Sequence, residues 1–80
     1  MQRKEFTRCL KALANERRVR IVQELLAAAP LDADALARRI KLSYKSTAKH
    51  IAQLERCDFL DRTRVGPQTL YRVARSHPLL

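Results

Sequence analysis

Lys45 and Lys49 stand one helical turn apart in the run L-S-Y-K-S-T-A-K-H-I-A-Q-L-E-R of residues 42–56. Around them lie Tyr44, Ser46, Ala48, Ala52 and Gln53, and none of these carries a carboxylate. Thr47, Ile51 and Leu54 recur at i, i+4 and i+7, which is one stripe of a helix, so the cations fall on the opposite face. Ser43 precedes the run with a hydroxyl able to accept from a free N–H of the first turn. A helix face meant only for solvent mixes both signs of charge. A face that enters a DNA major groove needs cations for phosphates, donors for base edges and small residues for close approach, and it is repelled by acids. Residues 43–56 are therefore read as a recognition helix, with Ser43, Tyr44, Lys45, Ser46, Lys49, His50 and Gln53 as its DNA-facing set.

The individual chemistry differs along that helix. Ser46 offers a phosphate a hydroxyl donor. Tyr44 can lay its ring on a sugar or a thymine methyl, and stacking on a neighbouring helix suits it equally. His50 falls between the inner and outer faces, where a structural hydrogen bond and a phosphate contact are both open. A second cationic group follows. Arg62 and Arg64 flank Thr63, so on a strand both point to one face. Such arginines clamp phosphate or enter a minor groove, or they guard an exposed sheet edge against aggregation. Gly66-Pro67 is a turn dipeptide, and the β-branched and apolar character of residues 69–73 returns a second strand. Residues 60–73 are expected to form a hairpin that adds Arg62 and Arg64 to the DNA-binding set.

These two elements need a body to hold them. Residues 2–14 read as a first helix, with Phe6, Cys9, Leu10 and Leu13 at i, i+3, i+4 and i+7. Asn15 is the next N-cap candidate. Residues 17–29 read as a second helix, with Val19, Val22 and Leu26 inward and Ile21 and Leu25 widening the stripe. Pro30 ends it, and Leu31 is a short extended link. Asp32 caps a third helix, and Asp34 lies in its first turn, where the dipole favours negative charge. Leu36, Ala37 and Ile40 form its apolar side. Only Lys41 and Leu42 separate it from Ser43, the spacing of a helix-turn-helix. Asp58 is expected at a positive-φ position that ends the recognition helix, after which Phe59 and Leu60 re-enter the core. The fold class is mainly α with a small β-hairpin, a winged helix-turn-helix spanning residues 1–80 as one domain.

Composition narrows the function. Eighty residues with 17 Lys+Arg against eight Asp+Glu give a formal net charge of +9, a balance that favours a polyanionic partner. No run approaches the roughly 18 apolar residues of a membrane span, and no apolar segment follows the basic start as in a signal peptide. Cys9 and Cys57 match no zinc spacing; both lie on apolar stripes and are expected as buried thiols in the reducing cytoplasm. Neither a nucleophile with its base, nor a phosphate-cradling glycine loop, nor a pocketed carboxylate pair is present, so an enzyme, a cofactor and a metal are not expected. A winged helix used as an RNA- or protein-interaction module in a larger assembly is the competing reading.

The sequence resembles the ArsR-type winged helix-turn-helix regulators. The resemblance is carried by L-K-A-L-A-N-E-R-R-V-R-I-V at residues 10–22, L-A-R-R-I-K-L-S at 36–43, A-K-H-I-A-Q-L-E at 48–55 and L-Y-R-V at 70–73. The first run is the most specific; the others are shared with further winged helices, MarR-like ones included. The resemblance implies a homodimer on an inverted-repeat operator that represses transcription and often releases DNA on sensing a metal or another signal, with Gln68 and Arg72 joining Arg62 and Arg64 as wing residues of the DNA-binding set. Metal sensing does not carry over, because Asp32 and Asp34 hold the places of the family's third-helix cysteines and two carboxylates make a poor soft-metal site. The family's C-terminal dimerisation helix is not present by Leu80, so dimerisation is expected through residues 2–14 and the tail Pro78-Leu79-Leu80. Lys41 and Asp58 replace common turn glycines, which implies local backbone strain.

Overall fold

The computed structural model describes residues 2–75 and 77. Four helices precede a hairpin: α1 (Arg3–Leu13), α2 (Glu16–Ala28), α3 (Ala33–Ile40), α4 (Tyr44–Arg56), β1 (Leu60–Val65) and β2 (Gln68–Val73). The caps foreseen in the sequence are made. Asn15 Oδ1 accepts from the N–H groups of Arg17 and Arg18 at 3.0 and 3.2 Å. Asp32 Oδ1 accepts from Ala35 N at 2.8 Å, and Ser43 Oγ from Ser46 N at 3.1 Å. Each removes one or two of the orphan donors that a helix start leaves.

The turn from α3 to α4 is held by a left-handed residue. Lys41 has φ 57°, and the N–H of Leu42 reaches back to Ala37 O at 3.0 Å. Asp58 closes α4 in the same way with φ 57°, and the Phe59 N–H returns to Leu54 O at 3.0 Å. Both are places where glycine avoids the Cβ clash that Lys and Asp accept.

β1 and β2 pair antiparallel with Leu60 opposite Val73 and Val65 opposite Gln68. Leu31 adds a single bridge to Tyr71, exchanging hydrogen bonds of 2.8 and 3.3 Å, so the extended link ties α2 and α3 to the base of the hairpin. The core lies between the helices and that base. Ile21, Leu25, Leu36, Ile51, Leu54 and Phe59 are buried in it, with Cys9, Ala12, Cys57, Leu60 and Tyr71 at its margin.

Two expected faces are corrected. In α2, Ile21, Val22 and Leu25 are buried, whereas Val19 is 39% and Leu26 70% exposed. The helix carries two overlapping apolar stripes, and α3 and α4 pack on the one centred on Ile21 and Leu25. In α1, Cys9 and Ala12 face inward, while Phe6 and Leu10 remain 40% and 46% exposed. α1 lies along one side of the domain, so only a narrow part of its circumference meets neighbours. The boundaries of α1 and α2 also fall within a residue or so of expectation, as helix ends commonly do. The tail residues Pro78, Leu79 and Leu80, expected to join a dimer contact, lie outside the described residues.

One buried group lacks a partner. Thr47 is fully buried beneath the outer face of α4, and its Oγ1 makes no hydrogen bond among the described residues. Thr47→Val keeps the shape and removes that orphan hydroxyl. The expected gain is about 1 kcal/mol, a rise in melting temperature of roughly 4–8 °C for a domain of this size. A thermal melt checks it, and an unchanged or lower midpoint would show that the hydroxyl is satisfied in solution.

Candidate nucleic-acid interface

α4 turns Thr47, Ile51 and Leu54 into the core, which fixes what the other side presents. Lys45, Lys49 and Ala52 are exposed along its crest, and Gln53 lies beside them. Arg56 continues the crest; it was absent from the expected set although its spacing, i+7 from Lys49, repeats the helical period. Lys45, Lys49 and Arg56 have no carboxylate within ion-pairing distance among the described residues, unlike Arg38, Arg39 and Arg62, which lie near Asp34, Glu24 and Glu55.

The flanks of α4 are less free. Ser43 is occupied as the N-cap acceptor, though its O–H can still donate. Ser46 is half-buried, with its backbone N–H on that cap. Tyr44 is 60% exposed and overhangs a shallow cleft it shares with Asp32, Gln68 and Tyr71. It therefore stands between the start of α4 and the hairpin. On the other flank His50 is half-buried, with Nδ1 3.3 Å from Arg18 Nη1. Of the two roles open to His50, the structure supplies the hydrogen bond. Arg18, which the sequence could not place, is itself anchored by its Nε donating to Ala12 O.

His50 has an electrostatic signature. Burial lowers its pKa from the ordinary 6.5, and the positive charges of Arg18 and Arg17 lower it further. The unfolded chain thus holds the His50 proton more tightly than the folded one. The stability associated with neutral His50 is fully present above about pH 6.5 and declines as pH falls through that value toward the lowered folded one. The expected result is a His50 ring titration by NMR with its midpoint below 6.5 and a shallower acid-side loss of stability in His50→Gln. A midpoint at or above 6.5 would exclude the Arg18 contact.

The hairpin divides its candidates between two faces. Register pairs Arg62 with Tyr71 and Arg64 with Thr69, and paired residues share a face, so Arg62 and Arg64 point toward the α4 side where Tyr71 is buried. Arg62 Nε lies 3.7 Å from Glu55 Oε2 on α4, and Arg64 Nε donates to Gly66 O at 3.1 Å. Glu55 thereby tempers part of the charge between α4 and the hairpin. Arg72 pairs with Asp61 and projects from the opposite face, where it lines a cleft with Leu26 and Arg75. Gln68 Nε2 donates to Asp32 Oδ2 at 3.2 Å, tying the strand to the cap of α3. The structure thus gathers Tyr44, Lys45, Lys49, Gln53, Arg62 and Arg64 around α4 and its hairpin flank, and sets Arg72 apart.

Asp34 pairs with Arg38, and no group of three or more His, Cys, Asp or Glu suited to a metal occurs among the described residues. Cys9 and Cys57 are free, buried and in mutual contact. Burial, then the hydrogen bond with Cys9, pushes the Cys57 thiol up to about 11, far from the thiolate that redox chemistry requires. No helix among the described residues is long and apolar enough to cross a membrane.

No family model and no curated protein matches the chain. Solved structures do. HlyU from Vibrio cholerae N16961, in its reduced form, is similar at 29% identity with a TM-score of 0.80, over 91% of this chain and 76% of that one. Mb0332 from Mycobacterium bovis, described as a homodimeric winged helix-turn-helix DNA-binding domain and a possible ArsR-family regulator, superposes with a TM-score of 0.82 at 25% identity, over 89% and 65%. An ArsR-like transcriptional regulator from Rhodococcus sp. RHA1 is 31% identical with a TM-score of 0.83, over 92% of this chain and 69% of its own. With that identity and coverage added to the four helices and hairpin described above, the chain belongs to the ArsR-like winged helix-turn-helix transcriptional regulators.

Proposed function

We propose that this regulator binds a specific double-stranded DNA operator as a homodimer in the cytoplasm and represses transcription by occupying it. The observation that carries the reading is the crest of α4, where Lys45, Lys49 and Arg56 stand exposed with no carboxylate within ion-pairing distance among the described residues. Laid in a major groove, this crest brings cations to the phosphates. Ser46, Gln53 and the short side chains of Ala48 and Ala52 then come near base edges. Tyr44, Arg62 and Arg64 reach the adjacent backbone or minor groove, and His50 is a positioning residue through Arg18. Ser43, Gln68 and Arg72 serve at the edge of the footprint. Bound at both half-sites of a twofold operator, two copies of α4 would read segments about 10 base pairs apart.

The apolar flank of α1 supports the dimer. Phe6 and Leu10 are exposed on it, and Leu13 is half-buried beside them. A twofold contact centred there covers apolar surface that the monomer leaves in water.

Selection from random duplex DNA tests the proposal. An inverted-repeat consensus is the expected result, with binding that weakens by a log–log slope of about 0.9 for each phosphate contacted as salt rises. Preference for single-stranded RNA, or tight protein binding with no consensus, would replace the proposal with the interaction-module reading.

A further inference from the structure

A second cationic surface adjoins the end of the crest and shares Arg56 with it. Between α1, the start of α2 and the end of α4 is a cleft of about 440 Å³, lined by Arg8, Lys11, Arg18, Gln53, Arg56 and Cys57, with no acid in its walls. Arg8, Lys11 and Arg56 have no carboxylate within ion-pairing distance among the described residues. Arg18 is fixed by its bonds to Ala12 O and His50 Nδ1, which leaves other guanidinium N–H groups for a ligand.

Helix dipoles explain only part of this cluster. Lys11 and Arg56 lie in the last turns of α1 and α4, where positive charge is favoured. Arg18 lies near the N-terminus of α2, where the dipole favours an anion and a cation is unfavourable. Four cations around one concavity also repel one another, and an anion within it would relieve that. The cleft falls within the volume range of small-ligand sites and exceeds a single phosphate.

We infer that this cleft is a binding site for a phosphate-bearing ligand of at least two negative charges, held by Arg8, Lys11, Arg18 and Arg56 with Gln53 as a further donor. The apolar flank of α1, carrying Phe6 and Leu10, is on the other side of that helix from Arg8 and Lys11 by the 100° step per residue, so the proposed dimer contact leaves the cleft open. The phosphates can belong to a free polyphosphate compound or to operator backbone beyond the major-groove contact. Only the second source rests on the DNA-binding reading.

Arg8→Ala/Lys11→Ala removes two exposed walls and touches neither the crest nor the core; its circular dichroism should match the parent. In one arm, inorganic tripolyphosphate is titrated calorimetrically at low salt. At least tenfold weaker binding in this variant, with Lys45→Ala/Lys49→Ala unchanged, assigns the site to a free ligand. In the other arm, the salt dependence of binding to a selected operator is measured. A slope shallower by about one to two units per copy, roughly 0.9 per lost phosphate and doubled in a dimer, assigns it to DNA. Unchanged behaviour in both arms overturns the inference and leaves the crest reading standing. Failure to select any operator, with tripolyphosphate binding still lost in Arg8→Ala/Lys11→Ala, overturns the DNA reading and leaves the cleft.

Discussion

Phe59→Ala is expected to lower the stability of this domain by about 3–5 kcal/mol, the usual cost of truncating a buried aromatic ring. Phe59 is the largest fully buried side chain among the described residues. It joins the two halves of the molecule: its N–H donates to Leu54 O in the last turn of α4, and its carbonyl accepts from Ala74 N after β2. Its ring meets His77 at 4.2 Å between centroids, and His77 Nε2 lies 2.6 Å from Cys57 O. An 80-residue chain holds a total of roughly 4–12 kcal/mol, so the variant loses much or all of its folded population. By contrast, Leu26→Ala on the exposed side of α2 should change stability by no more than about 0.5 kcal/mol. Parallel urea or thermal melts compare the two. A Phe59→Ala midpoint within a few degrees of the parent would mean that the ring has a cheaper alternative to its observed site. A large loss in Leu26→Ala would mean that the expected inward stripe of α2 is right after all, or that another molecule covers it.

Which parts of this architecture could be read from the chain depends on how many neighbours each element has. α4 is flanked by α1, α2, α3 and β1, so its inward stripe is set on several sides; Thr47, Ile51 and Leu54 were identifiable from period alone. Ser43, Asp32 and Asn15 were also legible, because a cap is a local event within three residues. The positive φ at Asp58 followed from chain economy, since a helix must stop abruptly there, whereas that at Lys41 was signalled only by the family's turn glycine at its place. α1 and α2 were misread at Phe6, Leu10, Val19 and Leu26 because each carries more apolar residues than its contacts use. Periodicity reports the existence of a stripe, whereas its centre is chosen by packing. His77 could not have been anticipated, as a lone histidine past the last strand has no periodic context.

The candidate interface shows the same division. Lys45 and Lys49 needed only the helix and its buried face. Arg56 was available by the same rule and was passed over because it stands at the helix end. Arg18 and the Glu55–Arg62 approach depend on which helices meet, and no local pattern contains that. Arg72 was grouped with Arg62 and Arg64 by the resemblance to the family's wing. The antiparallel register puts it on the other face, so its contribution to DNA binding should be smaller than theirs.

Lys45→Ala with Lys49→Ala is expected to weaken specific operator binding by roughly 100-fold or more at moderate salt while leaving the melting temperature nearly unchanged. Both ammonium groups are exposed and neither forms an ion pair within the described chain, so their removal leaves no buried charge behind and alters no packing. If each neutralises one phosphate, the log–log salt slope of the variant should fall by about 1.8, twice the 0.9 expected per contact in a duplex. In a dimer both copies lose their lysines and the change doubles. Arg62→Ala gives an internal comparison: its partner Glu55 is left unopposed near the DNA, so affinity falls through added repulsion as well as a lost cation, whereas Glu55→Gln should strengthen binding modestly. Measured on one selected operator over a range of salt, the lysine pair tests the crest and the Arg62 and Glu55 pair tests the wing. An unchanged slope in the lysine variant would place the DNA on a different surface, whatever the affinity of the parent protein.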